Sequence, residues 1–255
     1  MERKETFDSI AQWYDARPPY NSEIFDKLIS ETRINSASHI LEIGSGTGKA
    51  SYEFLRRGFT IECVEPGKQL LEIFKKKLSC FLHKVVIYNQ PFEEWLNLEY
   101  SYDLIVAAQS LHWIDAKIRY AKPYLLLSDG GYLCEIFNYF LDDDDQFRQE
   151  TYKIIKKYWP EFIVSEHENI DDLLKIRQDG LNEMNLFQNN STVKIVWSYK
   201  QSLKDYITSL RSWSKYCLVP QDIKNKIETD LLANLQNAQK MITRKIATCM
   251  VLSQK

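Results

Sequence analysis

The sequence predicts an α/β fold with a parallel sheet, and the spacing of its apolar residues is the main reason. Between His39 and Phe137, short apolar runs alternate with longer segments that carry leucine, lysine and aromatic residues at helical spacing. The short runs lack the strict apolar–polar alternation of a half-exposed strand, which is typical of strands covered on both faces. Helices of about 10–15 residues between them supply the crossovers that parallel strands need.

Five strands and three helices are predicted in this first half of the chain. The strands are residues 39–43, 59–64, 84–88, 103–108 and 131–137. The helices are residues 47–57, 68–79 and 115–127. Right-handed crossovers follow by default, because a right-twisted strand feeding a helix packs back onto the sheet in that sense.

Beyond Phe137 the pattern is less regular. Helices are predicted over 146–158, which Pro160 ends, over most of 166–186, and over 203–213 and 221–239, with strands at 192–199 and 242–252. The four aspartates of residues 142–145 precede a helix, and we interpret them as complementing its positive end. Since no repeat, linker or charge shift marks a boundary, we predict one domain over 1–255. Its parts are an N-terminal helical lid (1–36), a core ligand-binding half (38–137), a helical cap or insertion (141–190), and C-terminal strands and helices completing the sheet (192–255).

Composition narrows the class of protein. The 255 residues are 44% hydrophobic and 27% charged, which is typical of a globular chain and not of a disordered tail or coiled coil. A net charge of −2 argues against a dedicated nucleic-acid binder. Apolar runs are far shorter than the roughly 18 residues that span a bilayer, and the polar start carries no apolar signal segment. We therefore expect a cytoplasmic protein that binds neither nucleic acid nor a membrane.

Cysteine and histidine spacing predicts neither disulfides nor a metal site. The five cysteines stand at least 17 residues apart without a Cys-x-x-Cys pair, and the four histidines are scattered. Reduced thiols are expected, and no metal is predicted.

A glycine cluster is the strongest functional signal. Three of only eight glycines, Gly44, Gly46 and Gly48, follow the first strand and open the next helix. Glycine permits a tight turn and close approach of a ligand, and the helix start adds unpaired N–H donors. Glu65 ends the second strand 21 residues after Gly44, where a carboxylate can accept hydrogen bonds from both hydroxyls of a ribose. A nucleoside-bearing cofactor is therefore predicted.

The spacing of the glycines distinguishes between cofactors. In a dinucleotide fingerprint the third glycine lies five positions after the first, whereas here it lies four after, and no Gly-x-x-x-x-Gly-Lys phosphate loop occurs. A nicotinamide cofactor and a turn without a ligand remain alternatives. The string Glu42-Ile43-Gly44-Ser45-Gly46-Thr47-Gly48 resembles the S-adenosylmethionine (SAM) loop of class I methyltransferases. This resemblance implies a Rossmann-like, seven-stranded, mostly parallel sheet of order 3-2-1-4-5-7-6 with helices on both faces.

Further motifs extend the resemblance over nearly the full length. They match best a group of small-molecule methyltransferases, of the type 11 domain, that includes trans-aconitate methyltransferase-like proteins. The matching segments are Phe7 with Ala11, Tyr14-Asp15-x-Arg17-Pro18-x-Tyr20, Ala107-Ala108-Gln109-Ser110-Leu111-His112-Trp113-Ile114, Phe137-Asn138, Trp159-Pro160 and Arg211-Ser212-Trp213-Ser214. Leu111 replaces a frequent phenylalanine.

The resemblance implies a set of cofactor contacts. The cofactor-binding residues are Tyr14, Arg17, Gly44, Ser45, Gly46, Glu65, Pro66, Gln90, Phe92 and Gln109. The glycine loop backs the methionine portion, Glu65 holds the ribose, and Gln109 contacts the methionine ammonium. Pro91 stands where an aspartate often follows the third strand, so the adenine contacts rest on the Phe92 N–H and the Gln90 amide.

Substrate-facing roles are predicted for Tyr20, His112 and Trp113, and no catalytic residue is assigned. Arg17 is placed to pair with a carboxylate of SAM or of the substrate; the alternative for its segment is an N-terminal helix simply packed on the sheet. The predicted reaction moves a methyl group from SAM to a small-molecule acceptor, releasing S-adenosylhomocysteine. A carboxylate or hydroxyl oxygen is the expected acceptor, with nitrogen, carbon and sulfur open. The alternatives are an NAD(P)-binding Rossmann oxidoreductase and a catalytically idle methyltransferase-like module; either a monomer or a homodimer is expected.

Overall fold

A computed structural model describes residue 8 and residues 10–96, 101–141, 146–162, 169–235 and 241–255. Its α-helices are α1 Ala11–Tyr14, α2 Glu23–Thr32, α3 Lys49–Leu55, α4 Lys68–Lys77, α5 Ala121–Leu126, α6 Gln146–Tyr158, α7 Ile170–Glu183, α8 Leu203–Leu210, α9 Ser214–Cys217 and α10 Gln221–Leu235. Its strands are β1 Ile40–Ile43, β2 Ile61–Val64, β3 Val85–Tyr88, β4 Tyr102–Ala108, β5 Leu127–Phe140, β6 Gln188–Ser202 and β7 Met241–Gln254. Short 3₁₀ helices cover Ser79–Lys84 and Leu111–Trp113. Phe7 of the opening motif and the aspartates of 142–145 lie outside the described residues.

The seven strands form one sheet in the order β3-β2-β1-β4-β5-β7-β6, as predicted. β1 lies between β2 and β4 and pairs with both in parallel, and the pairs β2–β3 and β4–β5 are parallel too. The register sets Glu42 opposite Cys63 on one side and Val106 on the other. Parallel pairing brings the carboxyl ends of β1, β2 and β4 to the same edge, where ligands bind in open α/β sheets.

The chain divides into two compact units. One comprises residues 19–139, 170–195 and 248–255, and the other residues 1–18, 140–169 and 196–247. The strands β5, β6 and β7 each run from one unit into the other along the chain. The prediction of a single domain over 1–255 stays a prediction.

Each unit has its own apolar core. In the first, Ile40, Val106 and Cys134 of the sheet pack with Phe25 and Leu28 of α2, which lies within the predicted N-terminal lid. In the second, buried residues of α6, α8 and α10 pack together; they include Ile155, Leu210, Ile227 and Leu231. The sequence patterns of these helices are thus explained by burial of one apolar face.

Several predicted elements differ in length from those observed. The strand predicted over 131–137 is β5, Leu127–Phe140, and the helix predicted over 203–213 ends at Leu210. The helix expected over 115–127 begins only at Ala121, because Pro123 has no N–H to donate to the carbonyl of Arg119. A turn precedes it, in which the Asp115 carboxylate accepts a 2.8 Å hydrogen bond from the Lys117 N–H. β6, expected over 192–199, extends over Gln188–Ser202, because polar residues at its ends continue the ladder. In the described part of the chain, no helix is long and apolar enough to cross a membrane.

Candidate functional site

The glycine loop follows β1 and takes a left-handed backbone at all three glycines. Their φ angles are +70° at Gly44, +55° at Gly46 and +82° at Gly48, a region that L side chains rarely adopt. A Cβ on Gly44 would lie 2.5 Å from Ser110 Cβ, and one on Gly48 would lie 2.7 Å from Phe74 and Leu78. The glycines therefore allow both the turn and the close packing of the loop against α4 and against the segment that follows β4.

Glu65 joins the glycine loop to the end of β2. Its Oε2 accepts a hydrogen bond from the Gly46 N–H and its Oε1 from the Gly67 N–H, both at 2.8 Å, and the residue is 6% exposed. Each carboxylate oxygen has two lone pairs, so a carboxylate can accept from a backbone N–H and from a ligand hydroxyl at the same time. Glu65 thus lies against the glycine loop at the carboxyl ends of β1 and β2, and its role as a ribose acceptor stays a prediction.

Glu42 adds a second carboxyl group beneath the loop. It is 1% exposed, and the Ser51 hydroxyl donates to its Oε2. Burial raises the pKa of Glu42 to about 8; the Ser51 hydrogen bond acts in the lowering direction, and the nearby Glu65 charge raises it further. Glu42 is therefore mostly protonated at pH 7.

Gln109 and Tyr20 lie beside the loop at the end of β4. Gln109 has a left-handed backbone with φ +55°, and its N–H donates to the Ile136 carbonyl at 2.8 Å. The Tyr20 hydroxyl, on a side chain 9% exposed, donates to Gln109 Oε1 at 3.4 Å. The next hydroxyl, that of Ser110, donates to the Ile43 carbonyl at the start of the glycine loop. A non-glycine residue held in this conformation is often found at a functional site.

His112 and Trp113 form a 3₁₀ turn directly after this segment. Their ring centroids are 4.9 Å apart, with His112 exposed and Trp113 half-buried. Arg119 Nη2 donates to the carbonyls of His112 and Ile114 at 3.1 and 3.0 Å. The Arg119 side chain therefore stabilises the turn through its main chain, and the His112 imidazole stays accessible to solvent.

The predicted adenine segment follows β3. Gln90 is half-buried, whereas the Phe92 side chain is 2% exposed and stacks on Trp95 at 6.2 Å with a 28° interplanar angle. The Phe92 ring belongs to the core, so Phe92 itself can contact a base only through its main chain. Asn89 Nδ2 donates to the carbonyls of Glu65 and Pro66 at 2.9 and 3.0 Å, joining this segment to the β2 end.

Tyr14 and Arg17 belong to the other unit. Arg17 Nε donates to Ser212 Oγ at 2.9 Å, its Nη2 donates to the Ser212 carbonyl, and its guanidinium lies 4.5 Å from the Tyr14 ring centroid. The motif segments Tyr14–Arg17 and Arg211–Trp213 thus meet through Arg17 and Ser212. The predicted cofactor contacts of Tyr14 and Arg17 stay predictions.

The groups at the sheet edge fit a nucleoside with an amino-acid tail. The bare backbone of the loop, the Glu65 carboxylate and the strained Gln109 converge there through the hydrogen bonds above. The Ser45 hydroxyl is buried beside the Cys63 thiol and makes no hydrogen bond to a nitrogen or oxygen of the described chain. Among the described residues, no group of three His, Cys, Asp or Glu side chains is placed to hold a metal ion.

Sequence reasoning missed several residues that shape the site. Ser110 limits the space at Gly44, Asn89 ties two loops together, and Lys122 reaches the segment after β3 from α5. No local sequence motif predicts such contacts, since each joins residues that are distant along the chain. Only the closeness of Ser110 to the Gln109 motif gave a signal.

Comparison with known proteins identifies the family. A family model described as "Methyltransferase domain" matches residues 15–178, well over half of the chain. Uncharacterised methyltransferases of Mycobacterium tuberculosis and Schizosaccharomyces pombe are 28% and 29% identical over 134 and 133 residues; these cover 52% and 51% of this chain, and 52% and 50% of theirs. The chain thus spans about half the length of the curated relatives it matches.

A solved structure supports the fold. A candidate methyltransferase from an antibiotic biosynthesis pathway of Anabaena variabilis superposes with a TM-score of 0.61 at 15% identity, covering 93% of this chain and 98% of the other. At that identity the likeness concerns the fold alone. Together with the family match and the strand order, it leads to one conclusion: the chain belongs to the class I SAM-dependent methyltransferase family.

Proposed function

We propose that the protein transfers the methyl group of SAM to a small-molecule acceptor. The observation that carries this proposal is the Glu65 carboxylate, which is hydrogen-bonded to the Gly46 N–H at 2.8 Å across the carboxyl ends of β1 and β2. The carboxylate that would accept from the ribose hydroxyls is thus in direct contact with the main chain of the glycine loop. The narrower likeness to trans-aconitate methyltransferase-like proteins remains a prediction.

The cofactor roles follow from the contacts of each residue. Gly44, Ser45 and Gly46 back the methionine portion, because the loop there presents main chain and a buried hydroxyl. Glu65, with Pro66 beside it, accepts from the ribose hydroxyls. Gln109, fixed through its N–H and by Tyr20, contacts the methionine ammonium.

Adenine recognition is proposed at the segment after β3. The Phe92 N–H and the Gln90 amide are its donors and acceptors, since the Phe92 ring is buried. SAM supplies an electrophilic methyl group and carries its own leaving group. The chain's task is therefore to orient the acceptor in line and exclude water, which contributes several kcal/mol to rate enhancement.

The acceptor side is proposed to involve Tyr20, His112 and Trp113. A carboxylate acceptor needs no general base because it is ionised at pH 7, and we assign no catalytic base. A carboxylate or hydroxyl oxygen is the acceptor we favour, on the family analogy. We also propose a cytoplasmic protein, monomeric or homodimeric, that uses neither nucleic acid nor a membrane.

Isothermal titration with SAM and with S-adenosylhomocysteine tests the proposal. We expect micromolar-range binding, and Glu65→Ala should weaken it by roughly 1–3 kcal/mol, because the ribose loses its acceptor. Glu72→Ala, on the exposed face of α4, is the matched control and should bind as the wild type does. Because Glu65 also accepts from two backbone N–H groups, Glu65→Gln serves where the alanine variant does not fold.

The same titrations separate the alternatives. Heat from NADH without heat from SAM would indicate an oxidoreductase. Folded wild-type protein that binds neither ligand would indicate an idle module, and either result would refute the proposal.

A further inference from the structure

Lys122 connects α5 with the segment after β3 through three main-chain oxygens. Its ammonium donates to the carbonyls of Phe92, Glu93 and Trp95, at 3.3 Å for Glu93. An ammonium carries three N–H donors and no acceptor, so three carbonyls match its donor set. A single side chain thereby fixes the main chain of residues 92–95.

The surroundings of the ammonium strengthen this attachment. It lies 4.7 Å from the Phe92 ring centroid and 6.0 Å from that of Trp95, within cation–π range. Burial lowers the pKa of Lys122, while the Glu93 charge raises it. The charge is thus partly withdrawn from water, and the carbonyls replace the lost hydration.

The aromatic side of the same segment is held by packing. Trp95 is 1% exposed and contacts the rings of Tyr88 and Tyr102 at 5.3 and 6.4 Å. The hydroxyls of both tyrosines donate to Glu62 Oε2, at 3.0 and 2.9 Å. Packing therefore anchors the Trp95 side chain, whereas Lys122 bonds the carbonyl of Trp95 and those of Phe92 and Glu93 before it.

We propose that Lys122 is a positioning residue for adenine recognition, an inference that rests on the proposed SAM site. Pro91 has no N–H and no polar side chain, so this segment must read a base mainly through main-chain groups such as the Phe92 N–H. A main-chain donor discriminates only if its position is fixed closely. Lys122 supplies that fixation from outside the segment.

Hydrogen exchange of the ligand-free protein tests the first step. Lys122→Met keeps an unbranched side chain one atom shorter and removes the charge, and we expect amides of residues 92–95 to exchange roughly tenfold faster. Lys117→Met, at an exposed position five residues earlier, is the matched control and should leave that exchange unchanged. Unchanged exchange in folded Lys122→Met would overturn the proposal.

Discrimination between two purines tests the second step. We expect Lys122→Met to weaken S-adenosylhomocysteine roughly 5–20-fold. In S-inosylhomocysteine the purine N1 carries a hydrogen and cannot accept from the Phe92 N–H, so its affinity should change less than about twofold. The dissociation constant of S-inosylhomocysteine divided by that of S-adenosylhomocysteine should therefore fall in the variant. Equal weakening of both ligands would mean that Lys122 only stabilises the fold, and would refute the proposal.

Three further outcomes are distinguishable. If Lys122→Met does not fold, Lys122→Arg keeps the charge but cannot present three donors from one atom, and the ratio should again fall. If the wild type does not bind S-adenosylhomocysteine, the proposed function fails and this inference with it. If the wild type binds and the ratio is unchanged, only the role of Lys122 is refuted.

Discussion

At the scale of single residues, Gly44 is constrained twice, by its backbone and by its neighbour. Its φ is +70°, and a Cβ there would lie 2.5 Å from Ser110 Cβ. Gly130 has a similar φ of +78°, but a Cβ there would meet nothing nearer than Gln254 Nε2 at 3.8 Å. The two glycines therefore separate backbone strain from steric overlap.

We expect Gly130→Ala to lower the free energy of unfolding by about 1–2 kcal/mol, the cost of a left-handed alanine. Gly44→Ala should cost a further 1–3 kcal/mol or so from overpacking. Adding Ser110→Gly removes the opposing Cβ and should recover part of that excess. Urea denaturation measures all three, and equal losses for the two alanine variants would contradict the packing argument.

Glu42 makes a pH-dependent contribution to stability. Its pKa is about 8 in the folded protein, against a value of 4.5 for an exposed glutamate. Between these pH values the folded state binds more protons than the unfolded state, so this group makes the free energy of unfolding fall as pH rises.

Glu42→Gln should remove this fall, because the amide is neutral at every pH. We expect the variant to gain stability over the wild type between pH 4.5 and 8, by roughly 2–5 kcal/mol at pH 8 and above. Denaturation midpoints from pH 5 to 9 measure the difference. Glu72→Gln, exposed on α4, is the control; a wild-type-like slope in Glu42→Gln would contradict the assignment.

At the scale of elements, α7 is joined to β5 by a mostly buried ion pair. Arg177 Nη1 bonds Glu135 Oε1, with side chains 20% and 5% exposed, and the guanidinium lies 4.4 Å from the Phe137 ring centroid. Removing one partner of a buried pair leaves the other charge without compensation.

Arg177→Met should therefore lower the free energy of unfolding by about 3 kcal/mol. Lys153→Met breaks the exposed Lys153–Glu150 pair, whose side chains are 70% and 43% exposed, and should cost less than about 1 kcal/mol. Combining Arg177→Met with Glu135→Gln should restore part of the loss. Guanidinium is unsuitable because it screens charge, so urea is the denaturant, and equal costs for both methionine variants would refute the argument.

The elements themselves were predictable where burial alone decides them. β1 and β4 are mostly apolar, each with one carboxyl side chain, and were placed within one residue of their observed bounds. α2 was foreseen only as part of a helical lid, because its three buried residues, Ile24, Phe25 and Leu28, form a short stripe without a cap motif. β6 was too short in the prediction, because strand pairing extends through polar residues that no periodicity marks.

At the scale of the whole molecule, the site was predictable where residues lie close to the glycine motif. Gly44 follows β1 and Glu65 follows β2. Because β1 and β2 are neighbouring parallel strands, the two residues lie at the same edge of the sheet. Lys122 and Asn89 could not be predicted, because their partners are carbonyl oxygens, which every residue has. Contacts made to main-chain atoms therefore cannot be predicted from residue types.

The single domain predicted over 1–255 can be tested through the two cores. Leu28 lies in one core and Leu231 in the other, both with no exposed surface. Replacing either by alanine should cost about 2–5 kcal/mol, because it leaves a cavity. Because β5, β6 and β7 each run through both units, we expect one cooperative transition in urea, whose midpoint both variants lower without changing the slope m. Two transitions, each shifted by only one of the variants, would mean that the units unfold separately and that the chain is not a single cooperative domain.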